Sequence, residues 1–281
     1  MKPGIVTYKP DNCLRKGYTG LIREIAVDIA SNRWLTLQLF KRDMFARYKQ
    51  SAFGLLWLVI APLLSVATVF VLSKSGVFNV GEIGGPYPIF AILGMGFWQL
   101  FSVALTQSAN SMVQAGQMVA KINFSKKSLV VASLGTCVLS FAVQFVLVLI
   151  LFGVYRSAPS PWILAFPLLM LPMLLLSLGL GFMVALVNAV ARDVATALPV
   201  VLNFLLFLTP VLYAKRNEGL IATATTYNPL YYLIAVPRDI ILRGRTEDGL
   251  AFAVSAAVGL AVFVACLTVF HLTEARIAER I

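Results

Sequence analysis

The hydrophobic pattern near the start of the chain changes from partly amphipathic to wholly apolar without a break. Residues 41–62 read KRDMFARYKQSAFGLLWLVIAP, and no charged residue occurs from Phe53 to Leu72. At 100° per residue, Arg42 lies opposite one apolar arc of a helix, and Leu35 and Leu39 fall outside that arc. The arc consists of Trp34, Leu37, Phe40, Met44, Phe45 and Tyr48. About 20 helical residues cross a hydrocarbon core of roughly 30 Å. The pattern predicts an amphipathic helix on the cytoplasmic membrane surface that leads into a first membrane span.

Five further apolar segments follow, each long enough or nearly long enough to cross a bilayer. They cover residues 89–106, 129–155, 162–190, 194–213 and 250–272. We therefore expect an all-α integral membrane protein with six transmembrane helices. Residues 1–50 are expected to form a cytoplasmic N-terminal segment with the amphipathic interface helix, and residues 51–281 a single transmembrane domain.

An apolar stretch between the fifth and sixth spans is too short to cross the membrane. It covers residues 230–242, and Asn228-Pro229 before it suits a helix start, with Asn as the cap and Pro at the first helical position. Pro237 is expected to break or kink this helix. The pattern favours a pair of re-entrant helices that dip into the outer leaflet. A surface loop carrying an amphipathic helix is the alternative.

Composition and charge restrict the class of protein. The chain is 59% hydrophobic and 12% charged, which excludes an ordinary soluble domain. Its net charge of +11 is unevenly placed, because ten of the 23 Lys and Arg residues lie in the first fifty positions. In the six-span topology sixteen of these residues lie inside and seven outside, so both termini are expected in the cytoplasm. We attribute the basic charge to membrane orientation and anionic lipid contact, with no nucleic-acid partner.

Sequence features of enzymes and of metal sites are lacking. The chain has no G-x-x-x-x-G-K-[ST] phosphate-binding motif and no pair of acidic residues within a span, and its one histidine, His271, ends the last span. Its three cysteines lie too far apart to indicate a disulfide or metal framework. We expect a chain that is not an enzyme and holds no cofactor or metal. Such a chain needs a partner to drive transport or is passive.

Polar residues recur along one side of the second span. Gln99, Ser102, Thr106, Asn110 and Gln114 are spaced by three or four residues, so they form one stripe on a helix. Because polar side chains facing lipid are costly, the stripe faces protein or water. We interpret it as the wall of a hydrated conduit in which amides and hydroxyls bond sugar hydroxyls and aromatic rings stack on sugar faces. The alternatives are hydrogen bonding between helices and aromatic anchoring at the membrane interface. The candidate conduit residues are Gln99, Ser102, Thr106, Asn110, Trp98, Phe101, Phe204, Phe207 and Tyr231.

Three groups of residues match the motifs of one known family. The first group is Arg42-Asp43, Arg47-Tyr48, Ser51, Gly54, Trp57 and Pro62. The second is Ala191-Arg192-Asp193 followed by Thr209-Pro210-Val211 and Tyr213, and the third is Asn228-Pro229 with Arg238. With these groups and its six apolar segments, the chain resembles the membrane permease subunits of ABC transporters that export polysaccharide or polyol phosphate, of the O-antigen exporter type.

This resemblance implies a homodimer of permeases with a separate nucleotide-binding ATPase subunit, which would hold ATP and Mg, on its cytoplasmic face. It also implies that the interface helix lies where the substrate enters, and that the loop between spans two and three contacts the ATPase. The residues implied in that contact are Lys121, Asn123, Phe124, Ser125, Lys126 and Lys127. The family usually has proline after an aromatic residue in this loop, whereas this chain has Phe124-Ser125. Pro237 is a second departure from the family pattern.

The resemblance leads us to expect a lipid-linked polysaccharide, O-antigen, as the substrate exported through the bacterial inner (plasma) membrane. Its diphosphate would lie at the depth of the interface helix, where guanidinium groups suit phosphate oxygens. Anchoring of the helix to anionic membrane lipid is the alternative. The candidate headgroup and interface residues are Arg42, Arg47, Tyr48 and Lys49.

Other substrates and other classes of protein also share parts of this pattern. Capsular polysaccharide and teichoic acid are the alternative polymers. A small-molecule ABC exporter would share the fold, but the motif at the first span argues against it. A membrane enzyme acting on lipid-linked sugars would need an acidic or histidine cluster near the headgroup, which the sequence lacks.

Overall fold

The computed structural model describes residues 27–48, 53–75, 83, 85–116, 125–215 and 218–277, and every regular element within these ranges is helical. The helices are α1 (Arg33–Tyr48), α2 (Trp57–Lys74), α3 (Tyr87–Gln114), α4 (Lys127–Val154), α5 (Leu171–Val190), α6 (Asp193–Leu208), α7 (Leu220–Thr226), α8 (Pro229–Arg243) and α9 (Gly249–Ile277). A 3-10 turn, Gly54–Leu56, precedes α2. A second, Pro161–Ala165, and the short helix Phe166–Leu169 precede α5.

Among the described residues, four helical segments are long and apolar enough to cross a membrane. They are Tyr87–Gln114, Lys127–Val154, Pro161–Val190 and Gly249–Glu274. Two shorter apolar helices, Trp57–Thr68 and Asp193–Leu208, lie where the first and fifth spans are expected. The chain is therefore an all-helical, multi-pass membrane protein within its described ranges.

Helix α3 occupies the centre of the bundle. Its most apolar window is 78% buried, against 28% or less for the other three long segments. Phe97 on α3 is fully buried and meets the rings of Phe141 and Phe166 edge-on at centroid distances of 5.1 and 5.8 Å. Edge-to-face contacts of this kind add to the burial of apolar area. Any polar side chain that remains accessible on α3 is therefore an exception on a buried helix.

Helices α5 and α9 pack closely because a glycine faces a backbone. A Cβ at Gly179 would lie 2.6 Å from the Cα of Phe263, which is closer than real Cβ contacts. Small residues let membrane helices approach in this way. The contact fixes the last span against the fourth and brings the C-terminal end of α9 towards the start of α4.

Helix α8 begins as the sequence indicates but passes through its proline. Asn228 caps it, since its Oδ1 accepts from the N–H of Leu230 at 3.0 Å, and Gly244 ends it at φ 73°. The helix continues through Pro237 to Arg243, so the expected break is wrong, while the alternative of a kink stays a prediction. Buried neighbours on both sides, Val236 and Arg238, hold the helix although one backbone donor is missing. The turn between α7 and α8 lies at residues 227–228 instead.

Helix α1 packs against α4 and has apolar side chains on more than one side. Phe40 lies over Gly135, where a Cβ would overlap its ring. Leu39, which lies off the expected apolar arc, is 4% exposed, whereas Trp34 and Phe45 within that arc are 70% and 62% exposed. Leu39 and Phe40 thus meet the bundle, whereas Trp34 and Phe45 are left for lipid or a partner. That α1 lies at the membrane interface stays a prediction.

Candidate functional site

A cleft of about 280 Å³ lies between α1, α3 and α4. Helix α3 contributes Gln107, Ser111 and Gln114, and α4 contributes Ser133 and Thr136. The hydroxyls of these three Ser and Thr residues donate to backbone carbonyls of their own helices at 2.7–2.8 Å, which leaves their oxygens able to accept. The cleft therefore offers amides and hydroxyls from two spans to a polar ligand.

Two charged residues of α1 complete the rim of the cleft. Arg42 and Asp43 form an ion pair, with Nη2 at 2.8 Å and Nε at 2.9 Å from the same carboxylate oxygen. Both side chains are partly exposed. The pair leaves three of the five guanidinium N–H donors without a contact to Asp43. The rim is close to neutral overall, with donors that a phosphate or a sugar hydroxyl can accept.

The other predicted headgroup residues cannot be placed in this site. Lys49 and the side chains of Arg47 and Tyr48 lie outside the described residues. Of that predicted set, only Arg42 is therefore located by the structure, at the rim of the cleft.

The predicted polar stripe is partly accessible along α3. Gln99, Ser102, Thr106 and Asn110 are all half-buried. Thr106 donates to the carbonyl of Ser102 at 2.8 Å, and Asn110 donates to that of Thr106 at 3.0 Å. The stripe continues to Gln114, which lines the cleft. One side of α3 thus carries polar groups from its middle to the cleft.

The predicted aromatic residues do not join this stripe. Trp98 and Phe101 are 4% and 2% exposed, with ring centroids 5.8 Å apart in the apolar core. Tyr231 is buried on α8, with the Lys215 ammonium 5.4 Å from its ring. Phe204 and Phe207 lie on α6 and are 69% and 73% exposed. Within one chain the nine candidate conduit residues therefore fall into four separate environments.

The predicted ATPase-contact residues are undescribed, buried or, for Ser125, half-buried. Lys121, Asn123 and Phe124 lie outside the described residues. Lys126 and Lys127 are 7% and 1% exposed, so neither side chain lies on the surface. A direct contact from their ammonium groups to an ATPase is not available in this conformation. Contact by the loop itself stays a prediction.

Lys127 instead sits between two carboxylates from distant parts of the chain. Its Nζ lies 2.8 Å from Asp28 and 2.6 Å from Glu274, and we call these three residues the charge cluster. Ser125 also donates to Asp28 at 2.7 Å, and the backbone N–H of Lys126 donates to Glu274 at 2.5 Å. The cluster joins the turn before α1, the start of α4 and the end of α9.

The pKa of Asp28 shows which effect dominates in the cluster. Burial by itself would raise that pKa, but the hydrogen bonds from Lys127 and Ser125 outweigh it and hold the pKa below its usual value. The ion pair therefore forms fully above the ordinary pKa of an aspartate and weakens only as the pH falls through the lowered value. The ion pair between Asp28 and Lys127 is therefore intact at neutral pH.

A second set of contacts joins the family motifs at the other end of the bundle. Arg238 is 3% exposed. Its Nη1 donates to the carbonyl of Val211 at 2.9 Å, and its Cζ lies 3.7 Å from the ring centroid of Phe90. Asn228 donates to the hydroxyl of Thr209 at 2.8 Å. Two of the motif groups found in the sequence therefore meet in space and fix α8 to the end of α6.

Sequence reasoning missed three residues that hold the site in place. Asp28 and Glu274 were not singled out, although each is a lone acidic residue beside a predicted helix. Asn188 is 1% exposed and bonds the carbonyl of Ala109 on α3 at 2.7 Å and the N–H of Ala195 on α6 at 2.9 Å. The sequence signal for Asn188 was a single amide side chain within an apolar segment. In the described residues no group of three or more His, Cys, Asp or Glu could hold a metal.

Comparisons with known proteins agree with this architecture. A family model described as ABC-2 type transporter matches residues 35–242. The O-antigen export system permease protein RfbA of Myxococcus xanthus is 26% identical over 254 residues, covering 89% of this chain and 96% of the relative. A protein of the same name from Klebsiella pneumoniae is 26% identical over 248 residues, covering 87% and 94%. The family implies a separate ATPase as partner. The chain belongs to the ABC-2 type transporter family, as a membrane permease subunit and not an enzyme.

Proposed function

We propose that this chain is the permease of an ATP-driven exporter that moves lipid-linked polysaccharide, and specifically O-antigen, across the bacterial inner membrane. Two copies form the translocation path, and each binds a separate ATPase subunit that holds ATP and Mg. The sugar chain passes along the polar side of α3 and the lipid carrier stays in the membrane.

The observation that carries this proposal is the continuous polar side of α3. It runs from Gln99 to Gln114 and ends in the cleft of about 280 Å³ beside the interface helix. Amides and hydroxyls suit the many hydroxyls of a sugar polymer, whereas a purely apolar substrate would leave them unpaired. The relatives named O-antigen export permeases support the choice of polymer.

The interface helix suits the carrier end of the same substrate. Arg42 lies at the rim of the cleft with donors left over from its pair with Asp43. Guanidinium groups bind phosphate oxygens well, so the carrier diphosphate would lie at this rim with the first sugars in the cleft. The exposed Trp34 and Phe45 on the same helix would contact lipid.

We propose six spans with both termini in the cytoplasm, and α7 and α8 as a re-entrant pair in the outer leaflet. The two shorter apolar helices support this count, and the distribution of Lys and Arg supports this orientation. Cysteines replacing the exposed Ala158 and Glu218 should react with an impermeant maleimide added from the periplasm, whereas Gly116→Cys should not. Labelling of Gly116→Cys from that side would refute the orientation.

The proposal as a whole is tested in cells that lack this protein. Finished polymer should accumulate on its lipid carrier inside the cell, and the surface should lose it. Expression of the chain from a plasmid should restore the surface polymer. Normal surface polymer in the mutant would show that the chain serves another substrate.

A further inference from the structure

The hydroxyl groups in the cleft have their protons committed to the protein. Ser111, Ser133 and Thr136 each donate to a backbone carbonyl of their own helix at 2.7–2.8 Å. The hydroxyl of Ser108, which is fully buried, lies 3.2 Å from that of Ser133 and is the donor of the pair, since the Ser133 proton is already used. To a ligand the three cleft hydroxyls therefore present lone pairs and act as acceptors.

A carboxylate adds to the acceptors of the cleft. Asp43 on α1 lines it, and the guanidinium of Arg42 contacts one oxygen of that carboxylate, Oδ1. A carboxylate has about four lone-pair sites, so Asp43 can accept from a ligand as well. The amides of Gln107 and Gln114 can donate or accept. Apart from the two amides and Arg42, the polar side chains that line the cleft offer only acceptors.

Helix α3, whose polar side leads away from the cleft, is free of charged residues. Residues 87–114 contain no Asp, Glu, Lys or Arg. Lys127, at the start of α4, is buried between Asp28 and Glu274 and is not among the residues that line the cleft. Pores that conduct anions or phosphate are lined by Arg or Lys. The described part of the path lacks this feature, so it suits an uncharged chain.

We propose that the cleft is a subsite for an uncharged, hydroxyl-bearing sugar unit and that Asp43 determines this specificity. Sugar hydroxyls donate to the Ser and Thr oxygens and to the carboxylate, whereas an anionic group on the sugar brings only acceptors. The exported polymer is therefore built from neutral sugars, and acidic polysaccharide and polyol phosphate are disfavoured. The inference rests on the proposed function, because it names the substrate class of the same site.

The single cation of the described cleft lining is already assigned. Arg42 pairs with Asp43 at 2.8 Å, and in the proposed function its remaining donors bind the carrier diphosphate. An anionic group on the adjacent sugar would meet the Asp43 carboxylate without a further cation to offset it. Because like charges placed together across an interface suppress binding of the wrong partner, Asp43 selects against such a sugar.

The size and the apolar walls of the cleft fit this ligand. Its volume of about 280 Å³ lies just below the usual range of small-molecule pockets, roughly 300–1,000 Å³, so it holds about one or two sugar units. Ala46 and Leu129 supply apolar surface for the C–H groups of a sugar ring. None of the nine described residues that line the cleft is aromatic, so recognition there depends on hydrogen bonds and not on stacking.

Two probes that differ only in charge test the specificity of the cleft. Both are tetrasaccharides on the same polyprenyl diphosphate, one of glucose and one of glucuronate, and their binding to the purified permease–ATPase complex in lipid nanodiscs is measured without ATP. The wild-type complex should bind the glucose probe more tightly by about tenfold or more. Asp43→Asn keeps the shape of the side chain and removes its charge. By tighter binding of the glucuronate probe, it should reduce the preference to about threefold or less.

Two further variants show whether the preference belongs to the cleft. Glu218→Gln removes an exposed carboxylate outside the cleft and should keep the wild-type ratio of the two affinities. Thr136→Val removes an acceptor inside the cleft and should weaken binding of the glucose probe about fivefold, as expected for loss of one hydrogen bond. The ratio of affinities does not depend on the amount of folded protein, so reduced stability of a variant would not mimic the expected change.

The outcomes separate this inference from the proposed function. The expected preference in a complex that moves neither probe when ATP is added would support the inference and refute the proposed function. Movement of both probes at equal rates would refute the inference and leave the chain a polysaccharide exporter. Equal binding of the two probes by the wild type, or an unchanged preference in Asp43→Asn, would also refute the inference. Failure to bind either probe would refute it as well, because the cleft would then hold no sugar.

Discussion

Lys127→Met should lower the free energy of unfolding of the protein by about 3–5 kcal/mol, the usual result of breaking a buried ion pair by removing one partner. Lys127 is 1% exposed and is the common partner of Asp28 and Glu274. Methionine fills similar volume but leaves two carboxylates buried close together without a cation. Thermal unfolding of the purified protein in detergent measures the change.

Two further variants show whether unpaired charge is the cause. Lys126→Met removes the adjacent lysine, whose ammonium has a long 3.5 Å contact to the carbonyl of Glu274. This variant should therefore change the free energy of unfolding little. The triple variant Lys127→Met/Asp28→Asn/Glu274→Gln should recover most of the stability, because no buried charge remains. A triple variant as unstable as Lys127→Met would show that packing, and not charge, explains the loss.

Thr106→Leu combined with Asn110→Leu should reduce export about 10- to 100-fold, as expected for losing two hydrogen bonds to the moving substrate. Both residues are half-buried on the polar side of α3. Their side chains donate to carbonyls of their own helix, so the fold loses little when they change. Surface polymer and folded permease are measured in the same cells.

Thr268→Leu is the matched control for this double variant. Thr268 makes the same bond to the carbonyl four residues earlier, at 2.8 Å, but lies on α9 away from the stripe. It should leave export unchanged. If export in the double variant falls only as far as the amount of folded permease, the stripe serves helix packing.

The long apolar segments were predictable because their length and composition alone require a bilayer. Helices α3, α4 and α9 lie where the sequence indicates spans, and the Asn228 cap forms as its side chain predicts. The helix through Pro237 was not predictable, since tertiary burial on both sides of the proline compensates for one absent backbone bond. Local sequence does not record that burial.

The site could be predicted only where it follows one helix. The stripe of α3 follows from spacing, because residues three or four apart share a side. The charge cluster does not follow from spacing. Packing of α1 against α4 and of α9 against α5 brings its members together, and a single sequence gives no sign of this pairing. Leu39 shows the same limit of prediction from spacing. Helix α1 contacts the bundle on the side of Leu39 and leaves Trp34 and Phe45 accessible on another side, so a single apolar arc could not describe the helix.

ATP-dependent movement of a lipid-linked polysaccharide by the purified complex tests the central claim most directly. The permease and its ATPase are placed in vesicles with the ATPase facing out, and polysaccharide on its lipid carrier is labelled in the sugar chain. Addition of ATP and Mg should carry the label into the vesicle lumen, where an added glycosidase cannot reach it, and omission of ATP should prevent this. A sugar chain that stays outside while ATP is hydrolysed and a small amphiphile is moved instead would contradict the account.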